Sequence, residues 1–348
     1  DGFLQPAFEM VKHGPRFMEF MREMRREVLD HYDSITVGEA PCATVQEARD
    51  ITHPETGALS MVFQFEHMDL DCQRGKGKWA LKALHLPDLK ASLSRWQSSL
   101  HGQGWNSLYW NNHDQPRIVS RFGDDSPAYP ERSAKMLATC LHLMQGTPYV
   151  YQGEELGMSN VAWPSIEHYQ DIETRNMYRV ATQERGQAPA DVLRTIHAKG
   201  RDNARTPMQW SASLHGGFTT GQPWLAAHDN HTHINAEAAL ADPNSVFHHY
   251  RQLIALRKQH PVLVHGRYEL LLPDHPHVFA YLRDDGVHRV LVLCNFTGQH
   301  QDLSLCDLPD MTGAQWLIGN VSQHEAQANA TQLAPWQGHA WIQLHAGN

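Results

Sequence analysis

Two short segments place a carboxylate where an apolar run gives way to a turn. Thr36-Val37-Gly38-Glu39-Ala40-Pro41 ends such a run with a glutamate, and the preceding glycine leaves room beside it. Asn111-Asn112-His113-Asp114-Gln115-Pro116-Arg117 sets a His-Asp pair after another run, closed by a proline. Cleaving a glycosidic bond needs a carboxylic acid to protonate the leaving oxygen and a carboxylate to meet oxocarbenium-like charge. Such an acid keeps its proton near neutral pH when partly buried, because apolar surroundings disfavour the charged form. Glu39 and Asp114 are candidates for this pair. Each also has an ordinary use: a glutamate after a strand opens a helix or joins a salt bridge, and Asn-His-Asp serves as a helix cap.

The elements that would position them alternate between strand and helix. Ser34–Val37 reads as a short buried strand, followed by Leu59–Phe65, Asn106–Trp110 and Tyr149–Tyr151. Helical stripes fall between. Phe17, Phe20, Met21, Met24 and Val28 form one; Leu89, Leu93, Trp96 and Leu100 form another, with Asp88 as N-cap; Met136, Leu137, Cys140, Leu141 and Met144 form a third, stopped at Gly146-Thr147-Pro148. Strands alternating with helices predict a parallel sheet with helical crossovers. Polar residues directly after each strand suit the C-terminal face of a (β/α)8 barrel. A doubly wound open sheet places ligands similarly, but no glycine-rich phosphate loop favours it.

The last part changes texture. Ser245–Lys258 predicts a final amphipathic helix, followed by Pro261. Val278–Leu282 and Val290–Phe296 flank Asp284-Asp285-Gly286, a hairpin signal, and Trp316–Ile318 and Trp341-Ile342 continue the β pattern. The expected division is a partial α/β barrel over 1–260 and a small antiparallel β domain over 261–348. Of the aromatics, Trp105, Tyr109 and Trp110 fit core packing or sugar stacking, and Phe218 and Trp224 fit a pocket lining or ordinary packing.

Composition narrows the partners. With 348 residues, 41% of them apolar, a large core can form. A net charge of -9 without a basic block speaks against nucleic acid and anionic membranes, and favours a neutral ligand. Cys42, Cys72, Cys140, Cys294 and Cys306 show neither a CxxC pair nor a disulfide framework, so a reducing compartment is expected. No apolar run has the length of a membrane span. Asp1-Gly2-Phe3 does not open a signal peptide, and the expectation is a cytoplasmic chain. His228, His231 and His233 cluster in a polar stretch and are read as solvated loop histidines, not a metal site.

Longer segments make the reading specific. His13–Arg16, Thr36–Pro41, Phe63–Asp71, Gly104–Asn106, Asn112–Gly123, Gly146–Met158, Asp171–Thr174 and Arg201–Trp210 resemble, in order, the oligo-1,6-glucosidase and α-glucosidase group of the α-amylase superfamily, glycoside hydrolase family thirteen. The resemblance implies the C-terminal half of a TIM-type barrel followed by a β domain. It implies that Glu39 is the general acid/base and Asp114 the carboxylate that binds sugar hydroxyls and distorts the ring. It places His113 and Arg201 at the first glucose and Glu173 near the second sugar, with a loop or helix-cap carboxylate as the alternative for Glu173. Arg205 is open to a structural pairing with Asp202 or other acids nearby. The implied ligand is a small oligosaccharide; no cofactor is implied for these residues, and the family's calcium-type loop belongs to the upstream portion. Oligomeric state is left open.

The family nucleophile is an aspartate in a Gly-Phe-Arg-x-Asp segment upstream of Glu39. Asp1-Gly2-Phe3 echoes its start, but Leu4 stands where Arg belongs and Pro6 where Asp belongs, so no nucleophile is assigned. The chain is therefore expected to be incomplete relative to a retaining exo-α-glucosidase. Trehalose-6-phosphate hydrolases and sucrose isomerases are alternatives within the family. A truncated relic, or a catalytically inactive member such as the heavy chains of amino-acid transporters, is the alternative of another class.

Overall fold

The computed structural model describes residues 12–328 and 331–345; the echo at Asp1-Gly2-Phe3, with Leu4 and Pro6, lies outside them. Four short strands lie side by side in chain order. Strand β1 (Val37–Glu39) pairs in parallel with β2 (Met61–Phe63), Val37 opposite Met61 and Glu39 opposite Phe63. A parallel bridge from Val62 to Asn106 leads to β3 (Ser107–Leu108), which pairs in parallel with β4 (Thr147–Pro148). Parallel neighbours require crossovers, and helices supply them.

Helix α1 (Phe17–Glu27) precedes β1, and α2 (Val45–Thr52) links β1 to β2. Thr44 and Glu47 start α2 as a reciprocal capping box. Helix α3 (Leu86–Leu100) carries the stripe Leu89, Leu93, Trp96 and Leu100 against the core. Between β3 and β4 come α4 (Ile118–Arg121) and α5 (Pro130–His142), the latter buried along nearly its whole length. At Gly146 the chain turns with φ +134, and a Cβ there would stand 2.5 Å from the Asn106 carbonyl oxygen, so glycine is required.

After β4 come α6 (Ile172–Arg179), α7 (Pro189–Lys199), α8 (Asp202–Arg205), α9 (Ala236–Ala241), α10 (Val246–Gln259) and α11 (Pro261–His265). An antiparallel sheet follows, in the order β5 (Arg267–Leu271), β6 (Val278–Asp284), β7 (His288–Asn295), β11 (Gly338–Leu344), β9 (Gln315–Gly319). The short strands β8 (Gln301–Asp302) and β10 (Gln332–Leu333) pair separately. Asp284-Asp285-Gly286 turns β6 into β7: Gly286 takes φ +83, and the Asp285 carboxylate accepts the Val287 and His288 N–H groups.

The two parts share one core. Its buried residues run from Leu86 and Leu137 in the helices to Tyr281, Val292 and Ile342 in the sheet. Charged groups stitch the seam. Lys90 of α3 is fully buried, and its ammonium donates to the carbonyls of Leu272, His275 and Val278. The buried Arg283 of β6 donates to the carbonyls of Leu143, Leu263 and Gly266. Tyr281 O–H donates to the Cys140 carbonyl at 2.7 Å. All five cysteines are free thiols, and no helix among the described residues is long and apolar enough to cross a membrane.

Several sequence expectations shift. The run Ser34–Val37 is not a buried strand: β1 begins at Val37, and Ile35 is 78% exposed. Among the described residues β1 has a neighbour on one edge only, so its apolar residues lack a second wall to pack against. Helix α1 likewise buries none of its residues; Phe17 and Met18 touch the core, whereas Phe20, Met24 and Val28 lie open. The N-cap of α3 is His85, with Asp88 one turn in, paired with His85 and Lys82. The fourth strand sits at Thr147–Pro148, just before Tyr149–Tyr151, although the Tyr149 N–H still reaches the Leu108 carbonyl.

Candidate active site

Because β1 to β4 are parallel, the residues that follow them emerge on one side. Glu39 is the last residue of β1. A Cβ on the preceding Gly38 would come within 2.7 Å of the end of the Leu59 side chain, which would have to shift to admit it. The Glu39 carboxylate is exposed and makes no hydrogen bond or ion pair with the described residues. Partial burial, the expected means of holding its proton, is thus not provided by the described residues, because the strand that carries it is an edge. Its charge is felt by Tyr109, whose phenol is pushed up by burial and, in the same sense, by Glu39.

Asp114 sits in a tight polar turn after β3. The Asn112 side-chain oxygen accepts the Asp114 N–H at 2.8 Å, which sets the loop. Two guanidinium groups then meet the carboxylate: Arg205 Nη2 lies 2.6 Å from Oδ1, and Arg201 Nε lies 3.7 Å from it. Arg205 Nε also donates to the His113 carbonyl at 3.0 Å. The His113 ring, itself exposed, stands 3.8 Å from the same carboxylate oxygen.

Arg201 is the N-cap of the four-residue helix α8 and Arg205 its last residue, one turn apart. Of the acids open to Arg205, Asp202 is taken: it is buried, and its Oδ2 accepts the Gln170 and Asp171 N–H groups. Asp171 takes part instead. It caps α6 through Oδ2, accepting the Thr174 N–H and O–H, and leaves Oδ1 at 3.6 Å from Arg205 and 3.9 Å from Arg201. Burial alone would push the Asp171 carboxyl up; the Thr174 bonds and the two arginines outweigh it and hold it below the ordinary range. Glu173 extends the chain of charges, with Oε2 at 3.1 Å from Arg201 and 2.5 Å from Lys78.

Asp114, Arg201, Glu173 and His113 are therefore gathered into one network, and Glu39 stands apart from it at the end of β1, with β2 between. Sequence reasoning missed two members. Asp171 had a local signal, an Asp-x-x-Thr helix start. Lys78 had none: it sits in a glycine-punctuated loop and meets Glu173 only through the fold. A cavity of about 930 Å³ opens beside Glu173, lined by Trp79, Ile172, Met177, Lys76 and Arg185.

The walls are built from buried polar residues. The His67 ring lies between the Gln64 amide at 2.7 Å and the Tyr109 carbonyl at 3.0 Å. Burial pushes it down to about 4, so it is neutral, with Nε2 as the donor to Tyr109. Arg117, fully buried, donates to the carbonyls of Gln152, Asn203 and Ala204 and so ties the loops after β3 and β4 to α8. Arg121 and Lys199 clamp Asp71 at 2.7 and 2.5 Å, anchoring the loop that leads to Lys78.

Tyr109 and Trp110 are core residues; the Trp110 N–H donates to the Leu137 carbonyl, and the half-buried Trp105 donates to the Thr147 hydroxyl. Phe218 and Trp224 are exposed. His228 is half-buried, with Nε2 at 2.9 Å from the Asn160 carbonyl, while His233 is exposed. No group of three or more His, Cys, Asp or Glu residues among the described ones could hold a metal ion.

Residues 5–266 match the alpha amylase catalytic domain, and residues 268–337 match the maltogenic amylase C-terminal domain. The chain is 52% identical to an oligo-1,6-glucosidase of Parageobacillus thermoglucosidasius, covering 94% of this chain and 58% of that protein. A crystal structure of the Bacillus licheniformis trehalose-6-phosphate hydrolase superposes with a TM-score of 0.90 at 45% identity, covering 96% of this chain and 60% of that one. Isomaltulose synthase from Klebsiella sp. LX3 gives a TM-score of 0.87 at 34% identity, over 95% of this chain and 59% of the other. The chain thus spans somewhat less than two thirds of the length of these relatives.

Proposed function

The chain belongs to the α-amylase family of glycoside hydrolases, and from that premise we propose that it serves a retaining exo-α-glucosidase acting on short α-linked oligosaccharides. The observation that carries this reading is the disposition of two carboxylates. Asp114 is gripped by Arg201 and Arg205, whereas Glu39, on the same side of the parallel strands, is left without a fixed partner.

A gripped carboxylate keeps its position, which suits binding of sugar hydroxyls and opposition to oxocarbenium charge. A carboxyl without a fixed partner is free to meet the leaving oxygen. In this reading Glu39 protonates the leaving oxygen, then takes a proton from the attacking water. His113 and Arg201 hold the terminal glucose, and Glu173 meets the second sugar. A retaining mechanism also needs a carboxylate nucleophile, a role the reading gives to none of these residues. It assigns the chain no cofactor and no metal of its own, and the five free cysteines suit the cytoplasm. Similarity to oligo-1,6-glucosidases favours isomaltose-like substrates.

The test is hydrolysis, by the purified natural protein that carries this chain, of isomaltose, maltose, trehalose 6-phosphate and p-nitrophenyl α-glucoside, with the anomer of the released sugar read by NMR. Glucose appearing first as the α-anomer, fastest from isomaltose, supports the reading. Trehalose 6-phosphate as the preferred substrate moves the protein to that branch. No sugar released by folded protein, or a first product of β configuration, sinks it.

A further inference from the structure

One buried carboxyl beside the site is not used by this reaction. Glu154 lies in a single helical turn after β4, Glu154–Leu156, entered and left through Gly153 and Gly157 at φ +88 and +74. The residue is 4% exposed. Its Oε1 accepts the Tyr250 O–H at 2.6 Å, and its Oε2 accepts an Asn111 side-chain N–H at 2.7 Å. Tyr250 belongs to α10; Asn111 opens the loop that carries His113 and Asp114.

Two donors facing one side chain demand two acceptors, and only an ionised carboxylate offers both without presenting a hydrogen of its own. The arrangement has a second solution. The Asn111 side-chain oxygen, Oδ1, is buried and has no partner among the described residues. If Glu154 takes up a proton on the oxygen nearer Asn111, its O–H becomes a donor, and a turned Asn111 amide presents that idle oxygen to it. Both charge states of Glu154 are thus satisfied, each with one orientation of the amide. Burial pushes the carboxyl up to about 7 against the pull of its two hydrogen bonds, and Glu155 on the same turn adds to the rise. Facing groups on other elements are Arg117, which senses the Glu154 charge, Tyr250 itself, and the neutral ring of His142, edge-on to Tyr250 at 5.0 Å.

We propose that Glu154 is a positioning residue: through Asn111 it holds the loop bearing His113 and Asp114, and the Asn111 amide turns over when Glu154 gains a proton. The role rests on the glucosidase reading for its catalytic consequence but not for its structural one. The first experiment therefore uses no substrate. With the asparagines labelled with nitrogen-15, the Asn111 side-chain signals are followed from roughly pH 5 to pH 9. They should move through one transition near neutrality, and Glu154→Gln should abolish it. Signals that ignore pH in the wild-type chain overturn the proposal.

The second experiment reads the loop and turnover. Glu154→Leu should shift the Asp114 backbone amide signal and lower kcat/KM by at least about tenfold, mostly in kcat, as expected when a reacting group is misplaced. Glu154→Gln, whose amide can donate to a turned Asn111, should recover the larger part of that loss. Equal kcat/KM in the Leu variant, or no recovery in Gln, overturns the positioning role. Should the Leu variant fail to fold, Asn111→Ala severs the same link and must give the same Asp114 shift. A wild-type chain that shows the amide transition but hydrolyses no glucoside refutes the proposed activity and leaves the Glu154–Asn111 link standing.

Discussion

Arg205 reaches Asp114 and its neighbour with one planar group: Nη2 lies 2.6 Å from the Asp114 carboxylate, and Nε donates at 3.0 Å to the His113 carbonyl. Side chain and main chain of the loop after β3 are fixed together, so the carboxylate cannot swing without breaking both contacts. A lysine would keep the charge and lose the fork. Arg205→Lys should lower kcat/KM by about 10- to 100-fold, the scale of a misplaced reacting group. The measurement is steady-state kinetics on an α-glucoside, and a variant matching the wild type would show that Arg201 alone suffices.

Glu39→Gln should separate chemistry from stability. The carboxylate is exposed and unpaired among the described residues, so its loss leaves no buried partner behind. The unfolding free energy should change by less than about 0.5 kcal/mol. Turnover should fall by roughly two to four orders of magnitude, the range for loss of a general acid/base. Retained turnover would remove Glu39 from the mechanism.

Acid should destabilise the fold before it titrates most surface carboxylates. His67, His142, His249 and His339 are buried, and burial pushes them down from the ordinary 6.5 to about 4, 3, 3 and 4. Between those values and 6.5 the unfolded chain binds protons that the fold refuses. Their stabilisation is thus complete above pH 6.5 and is lost as pH falls toward 4 and 3. Glu154, raised from 4.5 to about 7, acts oppositely, favouring the fold as pH falls through that window. Glu155 and Asp69, pushed up by burial, act with Glu154, and His228, His260 and His275, pushed down by burial, act with the four rings; the four fully buried rings leave a net loss, on the order of 2 kcal/mol for each by about pH 5. Urea unfolding at about pH 7.5 and about pH 5 measures it, and equal midpoints would mean these rings find proton acceptors in the fold.

Lys90→Met should cost about 2 to 4 kcal/mol, because it leaves three carbonyls without their shared donor inside the seam. The same denaturation experiment reads it. A variant as stable as the wild type would show that the 272–278 segment finds other donors.

Elements buried by their own periodicity could be read from the chain. The stripes of α3 and α5 declare their faces, and Asp284-Asp285-Gly286 declares its turn. What escaped depended on neighbours. Ile35 and Val37 look like core residues, yet a strand is buried only if something packs on it. Asp88 and His85 compete for one cap within a single turn, too fine a distinction for composition to make. In the site, Glu39, His113 and Asp114 were visible because each follows a strand. Lys78 was not, because its partner Glu173 lies 95 residues further on and only the clamp of Asp71 by Arg121 and Lys199 brings the two loops together.

The seam between barrel and sheet has a consequence for how such proteins can be rearranged. The two family domains meet between residues 266 and 268, and a reader of sequences would cut there. Physically there is no cut. One face of α5 is the floor of the sheet, Cys140 and Cys294 lie in the same core, and Arg283 of the sheet satisfies the carbonyls of Leu143, Leu263 and Gly266 across the boundary. The β domain is therefore not a transferable module. A graft from a relative would have to bring its own version of α5, and a shortened chain ending at 266 would expose the face of α5 that the sheet covers.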